Sequence, residues 1–109
     1  MAVVDYVPGA SSESEKYIAD YKKQYNADID GMSAWNYDAL TILANSIKKV
    51  GEDRTKIKDA ILATQGYKGV CGTWSFTPNG DGLHEVSVAE IQANGSSKLL
   101  MVVNVSAQP

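Results

Sequence analysis

Cysteine, histidine and phenylalanine each occur once in this chain, as Cys71, His84 and Phe76, and proline occurs only three times in 109 residues. A lone cysteine excludes an internal disulfide and a zinc site built from cysteines. Cys71 stands between Val70 and Gly72 in a strand-like run, where a small apolar residue is the ordinary occupant. His84 is the sole imidazole available as a base, and it lies beside a turn with no motif around it. No nucleophile elbow, phosphate-binding glycine loop or metal-ligand spacing occurs, and the carboxylates are scattered over polar helix faces and loops. The expectation is a protein that is not an enzyme, with no catalytic residue, no cofactor and no metal. There is no apolar run of membrane-spanning length and no basic amphipathic helix. Nor is there a basic cluster in a chain of net charge −3, so a nucleic-acid partner has no electrostatic support. The opening MAVVDYVPGA lacks the charged start and apolar middle of a secretion signal, which leaves either a cytoplasmic protein or a signal upstream of this sequence.

What is present is an ordinary globular composition, 44% apolar and 21% charged, in a length that suits one domain with a modest core. Its longest helical pattern runs from Gly31 to Gly51. Asn36, Leu40, Leu43, Ile47 and Val50 fall on one stripe and are expected to face the core, with Asp38, Thr41, Asn45, Lys48 and Lys49 opposite. Ser33 is the expected N-cap and Gly51 the expected stop. Met32, Trp35, Asn36 and Tyr37 crowd the first turn, where free N–H groups and aromatic rings together make one wall of a ligand site, or where the rings merely flank the core stripe.

Upstream, Ala2 to Tyr6 reads as a short strand stopped by Pro8 and Gly9. Ser12 and Glu15 have the capping-box spacing and predict a helix from there. Tyr17, Ile18, Tyr21 and Tyr25 share its apolar stripe, expected to pack on a sheet rather than to stack a sugar or base. Asn26, Asp28, Asp30 and Gly31 imitate the start of a calcium loop, but Tyr37 stands where the bidentate glutamate must be, so the segment reads as a polar connector. Downstream, Asp53 or Thr55 caps a third helix with Ile57, Ala60, Ile61 and Thr64 inward and Gly66 at its end. The short link predicts that it lies beside the main helix. Val70–Phe76, His84–Ala93 and Lys98–Val105 read as strands, separated by the turns 78–82 and Asn94-Gly95. Asn94-Gly95-Ser96 and Asn104-Val105-Ser106 match the short glycosylation pattern.

The order of these pieces carries a resemblance. A helix ending in YKKQYN is followed by Tyr37-Asp38-Ala39 opening a long helix, then KIKDAILAT, then GYKGVCGTWSFTPNGDG, a strand, an Asn-Gly turn and a final strand. Gly69, Gly72 and Phe76 give G-x-x-G-x-x-x-F, and Asn79-Gly80-Asp81 gives the turn after it. This resembles the C-terminal part of the solute-binding proteins of ABC transporters with the type I periplasmic-binding fold, in the branch that binds branched-chain amino acids and amides. Cys71 departs from the small hydroxyl residue usual there.

The resemblance implies an α/β fragment of a two-lobed fold, about three helices plus four or more short strands. Residues 1–30 and about 85–105 would belong to one lobe and 31–83 to the other, with hinge crossings at Asp30 and Gly31 and at Gly82, His84 and Glu85. It implies a ligand wall at Met32, with Ser33, Trp35 and Asn36 beside it. The partners it implies are a small amino acid or amide and an ABC permease, and the location periplasmic or cell-surface. A piece drawn from both lobes leaves strand edges and helix faces uncovered, so a homo-oligomer is expected. The alternative roles are a self-associating structural or regulatory domain, or a ligand sensor of the same fold without a transport role.

Overall fold

The computed structural model describes residues 2–4, 6–83 and 85–104. In chain order the elements are β1 (Ala2–Val4), α1 (Ser12–Tyr25), α2 (Gly31–Val50), α3 (Arg54–Leu62), β2 (Tyr67–Gly69), β3 (Gly72–Phe76), β4 (Gly82–Leu83), β5 (Glu85–Ile91) and β6 (Ser97–Asn104). The strands form two antiparallel sheets, ordered β1-β5-β6 and β2-β3-β4. The α/β character is as the sequence predicts. Val105 lies outside the described residues.

Local chemistry moves several predicted boundaries. Ser11, not Ser12, caps α1, its hydroxyl accepting Ser14 N–H at 3.1 Å. That frees the buried Ser14 hydroxyl to bond the Tyr6 hydroxyl at 2.7 Å and to accept Gly9 N–H at 3.0 Å. In α2 the cap is Asp30, not Ser33. Asp30 Oδ1 accepts Ser33 N–H at 2.8 Å and Ser33 Oγ accepts Asp30 N–H at 3.3 Å, a reciprocal capping box. Gly51 ends α2 as expected, its N–H reaching Ile47 O at 2.8 Å. Asp53 caps α3, which stops at Ala63, while Gly66, at φ +66°, turns the chain into β2.

The expected core stripe of α2 is corrected by the structure. The buried row is Ala34, Asp38, Ile42 and Ser46, and Leu40, Leu43 and Ile47 are 67%, 38% and 37% exposed. Steps of four among mainly small side chains let α2 lie close against α3, while Asp38 on the same row ties it to the β2–β3 hairpin. Among the described residues, the larger side chains Leu40, Leu43 and Ile47 fall on a face left partly open. The tyrosines of α1 pack on one another and on α2 as well as against the β2–β3 hairpin sheet. Tyr17 and Tyr37 rings are 4.7 Å apart, Tyr21 and Tyr25 also 4.7 Å.

The core is small: Ala34, Val70 and Cys71, with Tyr6, Tyr17, Trp35 and Trp74 against them. The two sheets meet around a cavity of about 40 Å³ whose lining includes Val7, Cys71, Glu85, Ser87 and Val102. Between β5 and β6 the register shifts, Val88 facing Met101 and Ala89 facing Leu99, which leaves Leu100 as a bulge. The radius of gyration is 15.3 Å with extents of 49 × 39 × 18 Å, against about 13 Å for a compact chain of this size. The shape is a thin slab.

Candidate functional site

Six residues, Asp38 of α2 with Gly69, Val70, Cys71, Gly72 and Trp74 of the hairpin after it, form a polar cluster. The Asp38 side chain is fully buried. Its Oδ1 accepts Val70 N–H at 2.7 Å, and its Oδ2 accepts Cys71 N–H at 2.9 Å and the Trp74 indole N–H at 3.0 Å. Val70 and Cys71 are the turn between Gly69 and Gly72, which pair across the hairpin. Gly69 is there because a Cβ would stand 2.5 Å from Asp38 Oδ2. A carboxylate whose oxygens all take N–H donors is a structural anchor, holding α2 to the hairpin. It offers no atom to a substrate.

The anchor fixes the start of α2, where a recess of about 310 Å³ opens between Tyr6, Asp30, Gly31, Met32 and Trp35. Met32 is 63% exposed and Trp35 half-buried. Tyr6 is held by its bond to Ser14, and burial, outweighing that bond, raises its phenol above the ordinary value. Of the residues expected at the ligand wall, Met32 and Trp35 thus line one recess, together with Asp30 and Gly31 from the expected hinge. Ser33 is engaged in the capping box, and its carbonyl accepts the Tyr17 hydroxyl at 3.3 Å. Asn36 is exposed and donates to Met32 O at 2.9 Å. Nothing in the sequence marks Tyr6 as a site residue, because only the fold brings the segment after β1 to the mouth of α2.

A larger groove, about 560 Å³, runs between α1 and the α2–β2 wall and includes Tyr17, Tyr21, Tyr25, Tyr37 and Tyr67. Its rings largely pack against one another, so the smaller recess at α2 is the better candidate site. Burial raises the phenols of Tyr17 and Tyr67.

Near the other expected hinge, the chain leaves one sheet after β4 and enters the other at β5. Gly82 lies under two rings, a Cβ there meeting Trp74 at 3.3 Å and Phe76 at 3.4 Å. Glu85 reaches back to β3, its Oε2 accepting Thr73 N–H at 3.3 Å. His84 lies outside the described residues. Around Asp30 and Gly31 no change of sheet occurs, and α1, upstream of them, packs on α2 and β2. Among the described residues no cluster of metal-ligating side chains is present, and no helix is long and apolar enough to cross a membrane.

Known structures share this fold. A leucine-binding protein of Thermotoga maritima matches 94% of this chain at 30% identity with a TM-score of 0.78. The chain carries the C-terminal part of the type I periplasmic-binding fold of ABC-transporter solute-binding proteins. A solute-binding protein of Rhodopseudomonas palustris BisB5 in complex with 3,4-dihydroxybenzoic acid matches 98% at 18% identity and TM-score 0.84. The branched-chain amino acid binding protein LivJ of Streptococcus pneumoniae, in complex with isoleucine, matches 94% at 22% and TM-score 0.75. The chain spans about 30% of the length of these solute-binding proteins. No protein-family model and no curated protein matches the sequence. These three similar structures are binding proteins.

Proposed function

We propose that this chain is the C-terminal portion of an extracytoplasmic solute-binding protein, periplasmic or cell-surface, that captures a small amino acid or amide for an ABC importer. The observation that carries this is the recess at the mouth of α2, where Met32, Trp35 and Tyr6 make a largely apolar wall. The ligand would lie between two lobes, and closure would present a surface to the permease. Met32 gives the wall an adaptable thioether suited to an apolar side chain. In this reading the sheet β1-β5-β6 belongs to one lobe and the hairpin sheet, α2 and α3 to the other. The packing of α1 on α2 and β2 favours a first crossing at about residues 6–10, upstream of α1, over one at Asp30–Gly31. The second crossing lies at Gly82–Glu85.

Such a site is one-walled in this chain. Calorimetric titration of branched-chain amino acids and small amides is expected to give no micromolar binding to the chain alone and micromolar binding to a protein carrying both lobes. Micromolar affinity in the chain alone overturns the shared-cleft reading.

The partly open Leu40–Leu43–Ile47 face favours a second reading, in which two copies associate through α2 as a structural or regulatory unit. Light scattering over a range of concentrations separates the two, a mass fixed at that of one chain speaking against association.

A further inference from the structure

The hairpin strands β3 and β4 pair as Phe76↔Gly82 and Ser75↔Leu83. Continued in that register, the residue opposite Thr73 is Glu85. The Glu85 backbone is elsewhere, paired with Asn104 of β6 in the other sheet. Its side chain makes up the difference: Oε2 accepts the Thr73 N–H at 3.3 Å, on the side of β3 where β4 has ended. Gly72 leaves the room for it. A Cβ at Gly72, which has φ +126°, would stand 3.0 Å from Oε2 and 3.4 Å from the Glu85 Cβ. Glu85 therefore has its backbone in one sheet and its carboxylate in the ladder of the other.

We propose that Glu85 is the pin of the joint between the two sheets: its carboxylate replaces the backbone acceptor that β4 no longer supplies to Thr73, and so sets the angle at which one sheet leaves the other. A side-chain acceptor suits a moving joint. Rotating the sheets lets a side-chain hydrogen bond slide or re-form, whereas a backbone ladder would have to peel. The glycine beneath lets the carboxylate shift without striking a side chain. The relevance of this pin to closure around a ligand rests on the two-lobe reading above, but the pin itself does not.

The test is amide hydrogen exchange and residual dipolar couplings on the whole 109-residue chain, comparing the wild type with Glu85→Ala and Glu85→Gln. Loss of the acceptor in Glu85→Ala is expected to speed Thr73 exchange roughly ten-fold. The dipolar couplings should then report a wider spread of angles between the sheets. The Val70 and Cys71 amides, held by Asp38, should keep their rates, and Glu85→Gln, which retains an acceptor oxygen, should keep Thr73 slow. An unchanged Thr73 rate in Glu85→Ala overturns the proposal. So does an unchanged inter-sheet angle once Thr73 is free, or equal loss of protection at Val70 and Cys71, which marks general loosening. Failure of the solute-capture reading would leave all of these rates as they are, so the two failures are distinguishable.

Discussion

The Trp74 indole and the Asp38 carboxylate, 36 residues apart, meet at 3.0 Å, so the side chain that ends the first third of α2 also fixes the middle of a strand. The same carboxylate holds the backbone of Val70 and Cys71. Asp38→Ala would strand these N–H donors in a buried place, and a loss of about 3 kcal/mol of stability is expected. Asp38→Asn keeps one acceptor oxygen and should lose less. Urea denaturation followed by circular dichroism measures both, and a loss under about 1 kcal/mol in the alanine variant would refute the anchor role.

Gly69→Ala drives a methyl into the Asp38 carboxylate. Overpacking of this kind costs about 2 kcal/mol. In an Asp38→Ala background the obstacle is gone, so the cost of Gly69→Ala should shrink. A double-mutant cycle with no coupling between the two positions would contradict the contact.

At the mouth of α2 the roles divide. Asp30→Ala removes the cap and should cost about 1 kcal/mol. Met32→Ala touches an exposed side chain and should change stability by less than about 0.5 kcal/mol. In a two-lobed protein carrying this segment, Met32→Ala should nevertheless weaken ligand binding. Thermal melts and calorimetry on the same variants separate the cap from the wall.

Leu40→Glu and Leu43→Glu lie on the partly open face of α2. Each should leave stability within about 0.5 kcal/mol. Each should also reduce any concentration-dependent mass seen by light scattering. A large loss of stability in a monomeric sample would mean that this face is covered within the chain.

Tyr6, Tyr17 and Tyr67 all have phenols raised above the ordinary value of 10.0, with burial the leading cause in each. A raised folded-state value means that the folded chain holds these protons where the unfolded chain has released them. Stability is then intact below pH 10 and falls as the pH rises through the folded-state values. Tyrosinate absorbance should rise later in the folded chain than after denaturation in urea. Tyr6→Phe should remove part of the alkaline loss.

The helices were legible in the sequence because cap residues and glycines announce their ends, even though Ser11 and Asp30 took the caps expected at Ser12 and Ser33. The inward face of α2 was not. Periodicity weighs apolar side chains, and Leu40, Leu43 and Ile47 made the more apolar stripe. The hairpin instead chose the face where Ala34, Ile42 and Ser46 let it come close and where Asp38 meets its N–H groups. Asp38 was placed on the polar side because a carboxylate looks solvated until its donors are known, and those donors lie more than 30 residues away. Strand β2 was missed because three residues, YKG, carry too little pattern. At the candidate site, Met32 and Trp35 were readable from the crowded first turn, whereas Tyr6 depends on a tertiary approach that no local signal encodes.

The extra residue Leu100 decides which flank each half of the last strand presents. Side chains normally alternate, so Leu99 and Met101 would point the same way. The bulge instead sets Leu99 opposite Ala89 and Met101 opposite Val88, whose side chains leave the sheet in opposite directions. The half-buried Leu99 and, farther along, Val102 opposite Ser87 thereby share one flank, with Met101 and Val103 on the other. Were Leu100 paired in a regular ladder instead of bulged, it would face Val88 and Met101 would face Ser87, which would invert the second half of the strand without altering a single residue type. The hairpin's inside and outside are thus a matter of counting as much as of composition.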